Sequence, residues 1–544
     1  MARVSIVGAG VAGLATAALL AADGHAVDVF EKNAEVGGRV GRIDRDGFRF
    51  DTGPSWYLMP EVYDHFFALL GTSSAAELDL RPLDPAYTVF SDPRKTTRAA
   101  RAGVSATTPE VAATPVTIPR GRDRVNAVFE AREAGSGLRL SRHLASATQA
   151  KAMAERFFLY NPFLTPRSLL DRAVLGSLPR LVGLVTESLT RRTERIVADP
   201  RLRQILQYPA VFLGTDPRRA PAIYHLMSAL DLDEGVDYPL GGFRTIVDAL
   251  TRVAERAGAR LHTSAPVERI DTEAAGRRSR VTGVRWRDSE AVAHRTPADI
   301  VVSAADLHHT ETQLLAPADR DHTDAWWSRL TSGPGAVIVL LGVEGQLPQL
   351  PHHSLFFASD WAANFDAIFG RRQRIPHPAS LYVCRPSATD PTVAPPGCEN
   401  LFVLVPIPAD VSLGAGGPEG AGDALIERVA DRAIAQIADW AGIPDLPARI
   451  RVRHTIGPAD FAQNWHSWLG GMLGPAHTLR QSAMFRARNR SRSVAGLYFA
   501  GGTTAPGVGV PMCLISAEVV CKHLRGDASP GPLPLGERRG RRPR

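Results

Sequence analysis

Three glycines and one carboxylate near the start of this 544-residue chain have the types and spacing to hold a dinucleotide. Gly8-Ala9-Gly10-Val11-Ala12-Gly13 reads G-x-G-x-x-G, and Glu31 follows with Lys32 beside it. In such a loop the first glycine permits a tight turn and the second lets backbone approach a pyrophosphate. The third lets helix and strand pack closely, and the acid accepts hydrogen bonds from ribose hydroxyls. The rest of the sequence presents no Ser/His/Asp set, metal-ligand cluster or paired carboxylate that would mark a separate catalytic group, so no acid–base residue is assigned and no metal is expected. The demanding chemistry falls to a bound cofactor, which the protein aligns and tunes.

The elements around the glycines decide whether that reading holds. Arg3-Val4-Ser5-Ile6-Val7 is a short β-branched run that reads as a buried parallel strand. The glycines follow, then a helix-like run from Leu14 to Ala22, ended by Gly24-His25, and a second strand over Ala26-Val27-Asp28-Val29-Phe30. A glycine triplet alone is weak evidence; strand, helix, second strand and terminal acid in this order make it specific. The uncharged stretch from Val4 to Ala22 also imitates a signal peptide or a membrane span, but three glycines at its start fit the phosphate loop instead.

Composition sets the frame. An apolar content of 44% with 22% charged residues is that of a folded protein, and the length suggests two domains. The formal net charge is +7, spread along the chain apart from Arg538, Arg539, Arg541, Arg542 and Arg544. That tail reads as a disordered end or as a contact for anionic lipid. No nucleic-acid module accompanies it, so nucleic acid is not expected as a partner. Cys384, Cys398, Cys513 and Cys521 lack Cys-x-x-Cys spacing and read as reduced thiols in a cytoplasmic protein.

Directly after the second strand, Glu35-Val36-Gly37-Gly38-Arg39 resembles the G-G-R extension of the amine oxidase and carotenoid desaturase superfamily of flavoproteins. The resemblance implies FAD, with Gly38 and Arg39 beside the ribityl chain and pyrophosphate. Gly47-Phe48-Arg49-Phe50-Asp51-Thr52-Gly53-Pro54-Ser55 is similar to the G-F-x-F-D-x-G-P-[ST] segment of bacterial-type phytoene desaturases, and Tyr238-Pro239-Leu240-Gly241-Gly242 to their Y-P-x-G-G turn. Val267-Glu268-Arg269-Ile270 resembles the strand on the adenine side of FAD. Phe356-Phe357, Pro386 to Pro391, and His477 to Ser482 with Arg486 fit the family's later pattern. Gly496 to Pro511 resembles its C-terminal signature, which implies cofactor contacts at Gly501, Gly502, Gly509, Val510, Pro511 and Met512. There a helix N-terminus would face the flavin edge that gathers negative charge on reduction. Two departures stand out: Ala505, where many relatives carry His, and an extra polar segment near residues 92–115, read as disordered.

The implied fold is α/β, a discontinuous Rossmann-like FAD-binding domain with an inserted α+β substrate domain. Residues 1–91, 233–309 and 485–526 fall to the FAD-binding domain, 116–232 and 310–484 to the substrate and membrane-contact domain, and 527–544 to the basic tail. In the first insertion Leu178, Leu181, Leu184, Val185 and Leu189 share an apolar face followed by Arg191, Arg192 and Arg195. That pattern suits either a core helix or one lying on a membrane. In the second insertion the strand-like runs Ala336 to Leu341 and Leu401 to Val405 suit one wall of a long apolar pocket. Trp326, Trp327, Trp361 and Trp465 read as core residues rather than substrate contacts.

The resemblance implies desaturation of phytoene or a close carotene, hydride passing from an allylic C–H to flavin N5, with Gly53, Pro54 and Ser55 positioning flavin and substrate. Oxygen or a quinone is the implied acceptor, and the inner face of the cell membrane the implied setting. A carotenoid oxidase or isomerase on the same scaffold, or a non-catalytic isoprenoid-binding escort protein, are the competing readings. Amine oxidases lack the C-terminal Thr-x-Pro-Gly-x-Gly-x-Pro pattern.

Overall fold

The structure is a computed structural model and describes residues 1–93, 114–165, 174 and 176–536. The polar segment read as disordered lies almost wholly outside the described residues.

Arg3–Val7 is the central strand of a five-stranded sheet in the order Leu497–Phe499, Ile300–Ser303, Arg3–Val7, Ala26–Phe30, Arg260–His262, every pairing parallel. Helix Val11–Ala22 is buried along its whole length except Ala22. Its small alanines let it sit between the sheet and helices Arg244–Arg256 and Val510–Arg525. A helix apolar on every side is a core helix, which is why this stretch imitates a signal peptide.

The segments that carried the resemblance lock onto one another. Asp51 accepts hydrogen bonds from the Phe243 and Arg244 backbone N–H groups at 2.8 and 3.3 Å, holding the start of helix Arg244–Arg256. Asp390 accepts from the Gly241 N–H at 2.6 Å. Asn400 donates to the Arg49 carbonyl at 2.7 Å, pinning Phe48 and Phe50 against the second sheet.

That sheet has seven strands, in the order Ile450–Ile456, Gly335–Glu344, Cys398–Ile407, Leu381–Cys384, His353–Phe357, Tyr87–Ser91, Val116–Ile118. Val337, Val339, Leu341 and Val343 pack on helix Ala424–Ala441, whereas Ile338 on the opposite face lines a cavity. The period of two along a strand makes this division. Strand Tyr87–Ser91, grouped by sequence with the N-terminal FAD-binding part, pairs in parallel with His353–Phe357 here. Nothing local in its sequence specifies so distant a partner.

Two further expectations change. The basic amphipathic segment is two helices, Leu178–Thr186 and Leu189–Glu194. Ser188 caps the second by accepting from the Arg191 N–H, and the backbones of Glu187 and Leu189 pair with Ala222 and Ala220. Leu189 is therefore core, while Val182 stays exposed. The tail is packed through Leu533, beyond which residues 534–536 are exposed. The buried Lys522 ammonium donates to the carbonyls of Tyr160, Ser529 and Gly531, and Leu533 joins the main core. The last eight residues, which hold the arginine cluster, lie outside the described residues.

Among the helical elements, Asp231 is buried and accepts from the Tyr208 and Tyr87 hydroxyls at 2.7 and 3.2 Å. Burial pushes its carboxyl up to about 7, against those two hydrogen bonds. The folded state thus holds this proton more tightly than the unfolded chain. The resulting stability is fully present below about pH 4 and is lost as pH rises through about 7, at roughly 1.4 kcal/mol per pH unit. Asp231→Asn should therefore flatten the loss of stability between about pH 4 and 7, measured by denaturant unfolding at each pH.

Candidate functional site

Two helices start at the same place. Val11–Ala22 begins after Gly10 and Val510–Arg525 after Gly509, neither end carrying a side-chain cap. Both lead into one cavity of about 810 Å³. Uncapped N-termini leave free N–H groups and the positive ends of two helix dipoles. Gly10 and Gly38 bring two backbone segments together, since a Cβ on Gly38 would lie 3.3 Å from the Gly10 Cα. Among the described residues only the backbone of Gly37 and Gly38 comes within 4 Å of a Cβ placed on Gly10.

The cavity gathers nearly all the residues singled out in the sequence. Gly8, Gly10, Glu31, Lys32, Gly38, Arg39, Gly53, Pro54, Ser55, Val267, Gly501, Gly502, Gly509, Val510, Pro511 and Met512 line it. Gly13 does not; a Cβ there would run into the Gly8 carbonyl oxygen, so its work is packing helix on strand. The Glu31 carboxylate accepts from the backbone N–H groups of Ala9 and Asn33 at 2.9 and 3.0 Å, which fixes it at the strand end. Lys32 is turned to the Gln463 carbonyl at 2.6 Å. Arg39 donates to Ser467 and lies 4.0 Å from the buried Asp306, but its Nε is buried with no partner. A buried guanidinium N–H without an acceptor, beside two free helix ends, fits a pyrophosphate.

The loop before the last helix is held by Arg486. Its guanidinium donates to the carbonyls of Gly502, Thr504, Pro475 and Gln481 at 2.6, 3.0, 3.2 and 3.3 Å. Ala505 lines the cavity, and His477, buried, stands against Gly507.

Away from the cradle the lining turns apolar and aromatic: Leu230, Ile338, Leu355, Phe357, Phe365, Phe402 and Leu404. The seven-stranded sheet supplies most of this wall. Trp361 and Trp465, read as core, are cavity residues, whereas Trp327 is core. Sequence reasoning also passed over Asp306, Tyr382 and the stacked pair His309 and His466, 3.8 Å apart, all of which line the cavity. Asp306 had a faint signal, a carboxylate just past a β-branched run; the others had none. Leu479, Met484 and Phe485 line the cavity while also exposed, so an apolar rim reaches solvent there.

A parallel nucleotide-binding sheet, two helix ends on one cradle and an attached apolar chamber define a dinucleotide-dependent oxidoreductase that acts on a hydrophobic substrate. The chain belongs to the flavin containing amine oxidoreductases, matching that family over residues 11–524. It is a flavoprotein, and its cofactor is FAD. It is 37% identical over 525 residues to a carotenoid 3,4-desaturase of Haloarcula japonica, covering 96% of this chain and 98% of that protein. A zeta-carotene-forming phytoene desaturase of Myxococcus xanthus is 33% identical, covering 96% and 93%. In fold it is similar to an oxidoreductase from Methanosarcina mazei, with TM-score 0.60, 17% identity and coverage of 96% and 100%. A putrescine oxidase gives TM-score 0.58 at 14% identity, covering 96% and 99%.

Proposed function

We propose that this protein desaturates phytoene or a closely related carotene with FAD, drawing its substrate from a membrane surface and passing electrons to oxygen or a quinone. One observation carries the reading: a single cavity joins the dinucleotide cradle to a long apolar, aromatic-lined chamber whose rim is itself apolar. The two relatives above, named as a carotenoid 3,4-desaturase and a zeta-carotene-forming phytoene desaturase, support the same reading.

In this reading Gly8, Gly10, Gly38, Arg39 and the first turn of helix Val11–Ala22 hold the pyrophosphate. Glu31 faces a ribose, Lys32 stands near it, and Val267 lies along the adenine. Gly501, Gly502 and residues Gly509 to Met512 hold the flavin edge, and Gly53 to Ser55 position flavin against substrate. Bound flavin supplies hydride acceptance. The protein's own part is to align an allylic C–H, exclude water with the apolar wall, and keep N–H groups aimed at developing negative charge. The five-stranded sheet and its helices form the FAD unit; the seven-stranded sheet and the helical insertion form the substrate unit.

No described helix is long and apolar enough to cross a membrane. A long hydrocarbon has almost no aqueous concentration, so it must be fetched from lipid. Val182 and the exposed trio Leu479, Met484 and Phe485, with exposed Arg480 and Arg488 beside them, suit peripheral contact with an anionic surface.

The test is incubation of flavin-loaded enzyme with liposomes carrying phytoene or its partly desaturated successors, with oxygen or a quinone. Product spectra should shift to longer wavelength, and Phe485→Ser should weaken flotation with anionic liposomes. Carotenes left unchanged over a fully flavinylated enzyme would make desaturation the wrong reaction.

A further inference from the structure

We propose that Tyr382, His353 and His352 form a proton exit from the cavity, with Thr389 at its outer end. The inference rests on the desaturation reading. Making one C=C bond breaks two C–H bonds: one hydrogen leaves as hydride to the oxidised flavin and the other as a proton. Each turnover therefore deposits one proton in a mostly apolar chamber, and a polar group must carry it out.

One line of polar groups, hydrogen-bonded except between its two imidazoles, leads from the cavity wall inward. Ser55 Oγ and Tyr382 Oη, both on residues lining the cavity, are 2.6 Å apart, and Tyr382 Oη is 2.8 Å from His353 Nδ1. His353 is fully buried and is stacked on Trp56 with ring centres 4.6 Å apart. The His352 ring is its neighbour, also at 4.6 Å, and His352 Nδ1 is 2.7 Å from Thr389 Oγ1, on a half-buried residue. The Nε2 atoms of both imidazoles are buried with no partner. One nitrogen of each ring and the Cys384 sulfur lie within 4.8 Å of one another, a gap that one water can bridge.

A structural polar cluster would be expected to satisfy its own donors and acceptors. This one leaves open the ring atoms that a relay needs, while anchoring each Nδ1. Burial holds both imidazoles far below their ordinary protonation range, so each is neutral and can accept at one nitrogen and release from the other. The sequence of transfers balances. The substrate proton reaches Tyr382 Oη as the phenol proton moves to His353 Nδ1. The Nε2 proton of His353 then passes to His352 Nε2, and the Nδ1 proton of His352 leaves toward Thr389. Rotation of the rings or return transfer through solvent resets the tautomers.

Tyr382→Phe keeps the ring and removes only the hydroxyl. It is expected to retain FAD and thermal stability and to lower carotene turnover about 100-fold, the lower end of general acid–base effects. The wild-type solvent deuterium effect, arising from several protons in flight, should give a curved proton inventory that becomes linear in His353→Gln. Wild-type turnover in Tyr382→Phe would overturn the proposal. A third measurement needs no turnover, and so separates this idea from the desaturation reading. Nitrogen-15 shifts of the histidines in the FAD holoenzyme should show the Nε2–H tautomer for His353 and the Nδ1–H tautomer for His352. The opposite tautomers, or a stoichiometric metal ion found by elemental analysis, would break the line and sink it.

Discussion

Gly10→Val is expected to give a folded protein without flavin, and Gly13→Ala a protein that scarcely folds. The two glycines lie in one loop and do different work. Gly10 has φ −72°, open to any residue, and a Cβ there would meet nothing closer than the Gly38 Cα at 3.9 Å. The polypeptide therefore accepts valine, and the added carbons extend into the cradle proposed to hold the pyrophosphate. At Gly13 the obstacle is protein. A Cβ would collide with the Gly8 carbonyl oxygen and approach the Ala304 side chain, between a helix and a sheet that cannot separate cheaply. Backbone overpacking of this kind costs on the order of 3 kcal/mol or more. The flavin-to-protein absorbance ratio and the melting temperature separate the outcomes. Full flavin content in Gly10→Val would mean the cofactor is held elsewhere.

Arg486→Met should be among the most damaging single changes away from the N-terminal loop. The side chain is buried, and among the described residues no carboxylate pairs with it. Its charge is carried instead by four backbone carbonyls of the loops at residues 475–481 and 502–504. Burial pulls its pKa down to about 10, so it remains cationic at neutral pH. Methionine fills similar volume but leaves those carbonyls without donors, and stranded buried acceptors cost about 1–3 kcal/mol each before relaxation. A loss of stability on the order of 3–5 kcal/mol and of most bound flavin is expected. Arg486→Lys should recover only part of it, because an ammonium cannot reach carbonyls spread around a planar fork. Unfolding curves and flavin content measured on the same preparations check both points. Unchanged flavin content in Arg486→Met would show that the loop holds its shape without the guanidinium.

What was legible in the sequence was what contiguous residues decide. The glycine loop, the strands on either side of it, Glu31 and the C-terminal Gly/Pro run each state their backbone requirements within a few residues, because turn geometry and helix ends are local. Their meeting at one cavity also followed, since each alone prescribes a contact with the same cofactor.

Other features depended on distant pairing. Asp51 reads in sequence as a motif letter; only folding sets its carboxylate under the N–H groups of Phe243 and Arg244. Tyr87–Ser91 could have joined either sheet, and the apolar character that buries it does not name His353–Phe357 as its neighbour. The break after Thr186 depends on backbone bonds to residues 220–222, so an apolar periodicity running through it misled. Trp361 and Trp465 look like any buried aromatic until the sheet wall turns them toward the chamber. Tyr382, His353 and Trp56 come from three separate segments and acquire a common purpose only by contact. Local chemistry determined that this protein holds a dinucleotide. The shape of its substrate chamber, and any route for a proton out of it, belong to long-range strand order, which no single stretch of sequence encodes.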